Sequence, residues 1–280
     1  MSYILFDIGG TKTRVAVSED LKTFSKPIKF TTPINFKEGI EKIVAAAKEL
    51  TDGKNIRGAA GAVRGMLGED RTFLINDDVL AKWVEKPLAD TLATELNTKV
   101  TLENDAALAG LGEAVFGAGK GSNIMVYHTI STGVGGVKIE NGKIDDYHLG
   151  FEPGKQVLDI DRTILGDDIL PTLENLVSGT ALEERTGQKP YDIPQEDAVW
   201  DQLANYLAHG LRNTILYWSP DTIVLGGSMM TGNPVIPIEK VAQYTAELMG
   251  DSVPLPNIIK AELKDDSGLY GAMALLADLD

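Results

Sequence analysis

Residues 3–18 read YILFDIGGTKTRVAVS. Tyr3–Ile8 is an apolar run that ends in Gly9-Gly10, and Thr13–Ser18 resumes with β-branched residues, the pattern of a β-hairpin. Pro27–Thr32 adds a third strand. Ile40, Ile43, Val44, Ala47 and Leu50 then recur as the apolar stripe of an amphipathic helix that Asp52-Gly53 ends. A strand follows at Ile56–Val63, a short helix at Leu88–Leu96 after Pro87, and a strand at Lys99–Leu102 that runs into a helix beginning near Asn104. The pattern then starts again: Asn123–Thr129, a glycine turn at Gly133–Gly136, Val137–Glu140 and the hairpin signal Asn141-Gly142. A long irregular stretch separates these strands from a helix over Glu196–Trp218, a strand at Thr222–Leu225, a helix within Ile238–Met249, a strand at Ile258–Ala261 and a last helix near Leu269–Leu279. Two halves with one plan predict a duplicated α/β unit, with a ligand cleft expected between the copies.

Composition narrows the function. The chain has 280 residues, enough for two domains, and 26 Lys plus Arg against 41 Asp plus Glu give a net charge of −15. Such a surface repels nucleic acid and anionic membranes. The absence of cysteine removes disulfides, iron–sulfur clusters and thiol nucleophiles, and His128, His148 and His209 are too scattered for a zinc site. No signal-peptide pattern and no apolar run of about 18 residues is present, so a cytoplasmic location is expected.

Asp7-Ile8-Gly9-Gly10-Thr11-Lys12-Thr13 places a carboxylate at a strand end, then two glycines that let backbone N–H groups approach an anion, then hydroxyls and a lysine. That chemistry suits a metal-bound phosphate, although turn geometry alone also asks for such glycines. Ser131-Thr132-Gly133-Val134-Gly135-Gly136 repeats it in the second half, and Val224-Leu225-Gly226-Gly227-Ser228 ends a buried strand where a base or ribose could pack. Asp105 stands where a strand meets a helix. It is placed either as a helix cap or as the base that takes a proton from an attacking hydroxyl. The doublets Asp77-Asp78, Asp145-Asp146, Asp167-Asp168 and Asp265-Asp266 read as solvated surface charge.

Taken in order, DIGGTKTRVAV at 7–17, ENDAALAGLGE at 103–113, STGVGGVKIENG at 131–142 and LGGS at 225–228 resemble the phosphate, catalytic, second phosphate and adenosine segments of the ROK family of sugar kinases. The resemblance implies an actin-like (ribonuclease H-like) α/β fold of two βββαβαβα domains. These are expected over 1–118, with a C-terminal helix of about 268–280 packing back on it, and over 119–267. It also implies ATP and Mg²⁺ as cofactors, a sugar and a nucleotide as partners, and a homodimer of the kind the family often forms. Asp105 matches the catalytic base, Asp7 the carboxylate that holds Mg²⁺ through water, and Gly9, Gly10, Thr11 and Lys12 the first phosphate loop. Thr132 and Gly133 match the second loop, and Gly226 and Gly227 the adenosine contact. Asn104, Asp105, Glu152 and Glu174 would grip the sugar, the family's Pro-Gly-Pro loop would be Ala60-Gly61-Ala62, and its sugar-facing Asn would be Asn76 before Trp83.

One segment departs from the family pattern. Where the family has a zinc-binding His and three Cys, this chain has Lys155, Leu165, Asp167 and Thr172, so no zinc site is expected. Lys155 then either contacts a sugar hydroxyl, neutralises Glu152 and Glu174, or is a solvated surface lysine. The expected activity is ATP-dependent phosphorylation of a hexose, at O6, as in a glucokinase. An N-acetylmannosamine or N-acetylglucosamine kinase and a catalytically silent sugar binder are the alternatives. A sugar-responsive transcription regulator is disfavoured by the acidic charge and by a first strand that begins at residue 3.

Overall fold

In the computed structural model, which describes residues 2–251 and 253–279, β1 (Ser2–Ile8), β2 (Lys12–Ser18) and β3 (Ile28–Thr31) form an antiparallel meander. Helix α1 (Phe36–Thr51) follows, capped by the Asn35 side chain and closed by Asp52 in the left-handed conformation, φ 48°. Its buried stripe includes the predicted Ile40, Ile43, Val44 and Ala47. The chain continues through β4 (Ile56–Val63), a small hairpin of β5 (Met66–Leu67) and β6 (Leu74–Asn76), α2 (Leu88–Leu96), β7 (Val100–Asn104) and α3 (Asp105–Phe116). The main sheet has the order β3-β2-β1-β4-β7, with β1, β4 and β7 parallel. Ile8, Val63 and Asn104 lie in one row across it, so three parallel strands end level with one another.

The second half repeats this plan. β8 (Ile124–Ile130), β9 (Val134–Glu140) and β10 (Lys143–Ile144) are the antiparallel meander. Two short helices follow, α4 (Leu173–Val177) and α5 (Gly179–Thr186), in the stretch expected to be irregular. Then come α6 (Ala198–Trp218), β11 (Thr222–Gly226), α7 (Ser228–Thr231), α8 (Ile238–Met249) and β12 (Asn257–Lys260). The sheet order is β10-β9-β8-β11-β12, with β8, β11 and β12 parallel. Neither α4 nor α5 is long enough to show a helical period, yet each carries a hydroxyl cap, Thr172 accepting from Asn175 N–H and Ser178 from Ala181 N–H.

The last helix, α9 (Ser267–Leu279), packs on β1 and β4. The first of two compact units therefore comprises residues up to Val115, Asp146–Gly150 and the chain from Asp265 onward, and the second holds the remainder. Each unit has its own core. In the first, Phe6, Ile8, Val15, Ile43, Leu92 and Trp83 are buried together, and in the second Val126, Ile130, Trp200, Leu207, Leu211 and Leu225. No described helix is long and apolar enough to cross a membrane.

Within the first unit α3 and α9 touch backbone to backbone. A Cβ on Gly271 would lie 1.9 Å from the Leu108 carbonyl oxygen, and one on Gly112 would lie 2.4 Å from that of Ser267. Gly271→Ala is therefore expected to destabilise the protein by about 1–3 kcal/mol and to lower the melting temperature by several degrees. Gly58→Ala, whose new methyl would meet its first neighbour at 3.4 Å, is the control and should melt like the parent in a thermal scan.

Candidate active site

The chemically active residues of the first unit gather at the level ends of its parallel strands. Asp7, on β1, faces Arg14 across the hairpin, and Arg14 donates to Asp7 Oδ2 at 3.2 Å and to Asp265 Oδ2 at 3.1 Å. Burial pushes the Asp7 carboxyl up to about 7; Arg14 opposes this, while the nearby charges of Asp105 and Asp265 add to it. A carboxylate crowded in this way has the chemistry of a Mg²⁺-facing group, because a divalent cation supplies the positive charge that the site lacks. The adjoining turn is fixed from behind: Gly9 N–H donates to Lys12 O at 3.1 Å, and the Thr32 hydroxyl donates to Gly9 O at 2.7 Å. Thr11 and Lys12 are exposed at its tip.

Asn104 and Asp105 share the α3 N-terminus. Asn104 does the capping: its Oδ1 accepts from Ala106 N–H at 2.9 Å and Ala107 N–H at 3.2 Å, and its Nδ2 donates to Gly65 O at 3.0 Å. Asp105 Oδ1 accepts from Ala106 N–H at 2.8 Å. Desolvation raises the Asp105 carboxyl to about 6, with the Ala106 bond and the Arg64 charge pulling the other way. Glu103, only 1% exposed, lies just before them; its carboxylate accepts from Asn104 N–H, from the Tyr147 hydroxyl and from Arg71, whose guanidinium lies 4.5 Å from the Tyr147 ring centre. Nothing in the sequence singles out this triad around the buried Glu103, since its members lie far apart along the chain.

Two expectations need correction here. Gly61 does not lie in a loop: it sits mid-strand in β4, buried, and a Cβ there would fall 2.1 Å from the Phe6 ring. The loop after β4 is Arg64-Gly65-Met66, with Gly65 at φ 101°, and the exposed Asn76 is paired opposite Met66. Nor is Asp77 a solvated surface charge, because its side chain is 5% exposed and it accepts from Arg64 Nε at 3.0 Å and from the N–H groups of Val79 and Leu80. Arg64 also donates to Asp78 at 3.0 Å. The other doublets are more open, although Asp145 takes Lys138 at 2.8 Å and Asp265 holds Arg14.

In the second unit the turns after β8 and β11 come side by side. Ser131 Oγ and Ser228 Oγ are 3.0 Å apart, and Gly227, at φ 85°, lies where a Cβ would strike the Ile130 carbonyl at 2.3 Å. Gly226 meets Tyr127 in the same manner, and Thr132 is exposed. Glu174 braces the first of these turns: Oε2 accepts from Val134 N–H at 2.9 Å, and Oε1 takes Lys155 Nζ at 2.7 Å. Of the three readings of Lys155, the structure supports neutralisation of Glu174. Desolvation raises the Glu152 carboxyl above the ordinary range, and Lys155 opposes this too.

Between these two glutamates, in the segment that departs from the family pattern, Asp159 is the organiser. It is buried and accepts from the N–H groups of Thr163, Ile164 and Leu165 at 3.1, 3.1 and 2.8 Å. Burial raises its carboxyl, but these bonds outweigh that and hold it below the ordinary range. Among the described residues no three His, Cys, Asp or Glu side chains cluster to hold a metal ion.

The ROK family profile matches residues 3–278. The chain is 27% identical to a glucokinase of Thermotoga maritima over 97% of this chain and 96% of that one. It is 31% identical to a fructokinase of Pediococcus pentosaceus over 69% of each. The solved ROK hexokinase of Thermus thermophilus superposes on it with a TM-score of 0.82 at 25% identity, over 100% of this chain and 99% of that one. The chain belongs to the ROK family, and its paired five-stranded sheets are the actin-like α/β fold of that family.

The raised carboxyl of Asp105 has a measurable thermodynamic consequence. A folded-state pKa of about 6 against an ordinary 3.8 means that the native protein holds the extra proton between those values. The contribution to stability is full below about pH 4 and is lost as the pH rises through 6. Asp105→Asn, which keeps the oxygen that accepts Ala106 N–H, should therefore be more stable than the parent at pH 8, on the order of 1–2 kcal/mol after solvent screening. Melting curves at several pH values should show the gap closing toward pH 4, and a gap independent of pH would refute the shift.

Proposed function

We propose that this ROK protein is an ATP-dependent sugar kinase that phosphorylates a hexose at O6, with Asp105 as the general base. The observation that carries the reading is that the level ends of parallel strands bring Asp105, on the first turn of α3, to the same edge of the sheet as the Gly9-Gly10 turn and the crowded Asp7 carboxylate, and burial raises the Asp105 carboxyl to about 6. A base for a sugar hydroxyl needs such a poised value, because it must be ionised at neutral pH and still accept a proton in flight. Asp105 takes the hydroxyl proton, the sugar oxygen forms its bond to the γ-phosphorus, the bond from that phosphorus to the bridging oxygen breaks, and ADP leaves with the electron pair.

Asp7 would hold Mg²⁺ through water, and the ion supplies charge neutralisation on the phosphates when bound. In the first unit Gly10, Thr11 and Lys12 would offer backbone N–H groups and a hydroxyl to phosphate, with Gly9, whose N–H is bound to Lys12 O, shaping the turn; in the second, Thr132 and Gly133 would do the same. Gly226 and Gly227 leave room for the nucleoside. Asn104 retains one amide hydrogen for a sugar hydroxyl beyond its contact with Gly65. Glu152, Glu174 and Asn76 complete the proposed sugar set, with Lys155 holding one oxygen of Glu174. The relatives named glucokinase and fructokinase make glucose and fructose the leading substrates, and the N-acetylhexosamines are the alternative.

The test is a coupled ADP-release assay with Mg-ATP against glucose, fructose, mannose, N-acetylglucosamine and N-acetylmannosamine. Turnover on one of them should fall by about 10²–10⁴ in Asp105→Asn. ATP binding without turnover on any sugar would leave a silent binder instead. With the accepted sugar, kcat/KM should fall about tenfold per pH unit below about 6, as Asp105 protonates. An acid limb that is unchanged in a residual-activity Asp105→Glu variant would assign that limb to another group.

A further inference from the structure

The loop that follows β4 reads Arg64-Gly65-Met66, and its first residue brings a charge to the ends of the parallel strands. Arg64 is held along its whole length. Its backbone N–H donates to Ile8 O at 3.0 Å, which pins it beside the end of β1. Nε and Nη2 are each bound at 3.0 Å, by Asp77 and Asp78, and Asp77 is itself fixed by two backbone N–H groups. The rotamer entropy of a long side chain is thus already spent in the folded state. Nη1 makes no hydrogen bond among the described residues.

The direction of the side chain matters as much as its restraint. A Cβ on Gly10 would lie 3.3 Å from Arg64 Cδ, so the arm passes directly over the phosphate turn. At the other end its charge reaches Asp105 and is the cation that lowers the Asp105 carboxyl. The guanidinium is thus fixed with its arm against Gly10 and its charge within reach of the Asp105 carboxyl.

We propose that Arg64 is a catalytic residue that meets the transferring γ-phosphoryl group through Nη1 and neutralises the charge spread over its oxygens in the transition state, with Asp77 and Asp78 as its positioning residues. This rests on the kinase reading above and adds a component to it. No proton moves through Arg64; the bonds made and broken are those already written, and the guanidinium stays charged throughout. A planar fork with two arms tied and one free suits the task better than a mobile ammonium.

The experiment uses the full chain with Mg-ATP and the sugar that the wild type accepts. Arg64→Ala should lower kcat by about 10²–10³ while the KM for ATP stays within about threefold, and added guanidinium ion should restore part of the rate. Arg64→Lys, which is the safer variant for folding, should recover less than a tenth of wild-type kcat. A binding measurement separates this from a structural role. Arg64→Ala should lose at least about tenfold in affinity for Mg-ADP with fluoroaluminate and sugar, a mimic of the phosphoryl group in flight, and keep its affinity for a non-hydrolysable ATP analogue. Wild-type turnover with kcat unchanged in both variants, or an equal loss of both ligands, would overturn the arginine assignment alone. Failure of the wild type to turn over any sugar would overturn the kinase reading and this one together.

Discussion

The backbone contact between α3 and α9 at Gly112 and Gly271 governs the geometry of the first unit. Helix α3 carries Asp105 on its first turn, and α9 begins at Ser267-Gly268, where a Cβ on Gly268 would lie 3.3 Å from the Asp7 carboxyl carbon. The depth to which the two helices interlock therefore decides how the Asp105 and Asp7 carboxyls stand toward each other. A methyl at the crossing would push the helices apart and move both charges, since close-packed interiors transmit displacement. This is also why the first unit recruits the far end of the chain: β1 and β4 would otherwise lack the helix that covers them.

Around that frame, two arginines of the first unit are each shared by two carboxylates. Arg14 lies between Asp7 and Asp265, and Arg64 between Asp77 and Asp78. Asp105 adds a further negative charge with no salt-bridge partner among the described residues, so the cluster stays anionic. That imbalance adds to the burial that raises Asp7 and Asp105. It opposes folding and favours a divalent cation, the usual tension between a stable fold and a working site.

Much of this was legible from residues 3–18 and their echo at 123–142, because hairpins, glycine turns and amphipathic stripes are local signals. The α1 stripe and the position of Asp105 at a strand-to-helix junction are of that kind. Other features depend on pairing register, which the sequence does not expose. Gly61 is expected in a loop because Ala60-Gly61-Ala62 resembles the family's Pro-Gly-Pro, yet its reason is the Phe6 ring on the neighbouring strand. Once Gly61 is mid-strand, the loop shifts onward and Arg64 enters the site. Asp77 and the Glu103–Tyr147–Arg71 triad were hidden for a related cause, since their partners come from other elements and a charged residue read alone is most often solvated.

The segment from Glu152 to Glu174 shows how the chain orders a loop by backbone chemistry. Asp159 gathers three N–H groups, Val157 pairs with Thr172, and Leu158 N–H donates to Pro171 O at 2.8 Å, so the two ends of the loop are tied while its tip is closed around one carboxylate. Gly154 must be a glycine, because a Cβ there would meet the Val134 carbonyl oxygen at 2.3 Å, and this contact seats the turn bearing Glu152 against β9. Glu174 is then committed on both oxygens, to Val134 and to Lys155. One carboxylate therefore ties the start of β9 at Val134 to the turn that bears Lys155, and the loop between Glu152 and Glu174 is anchored at both ends.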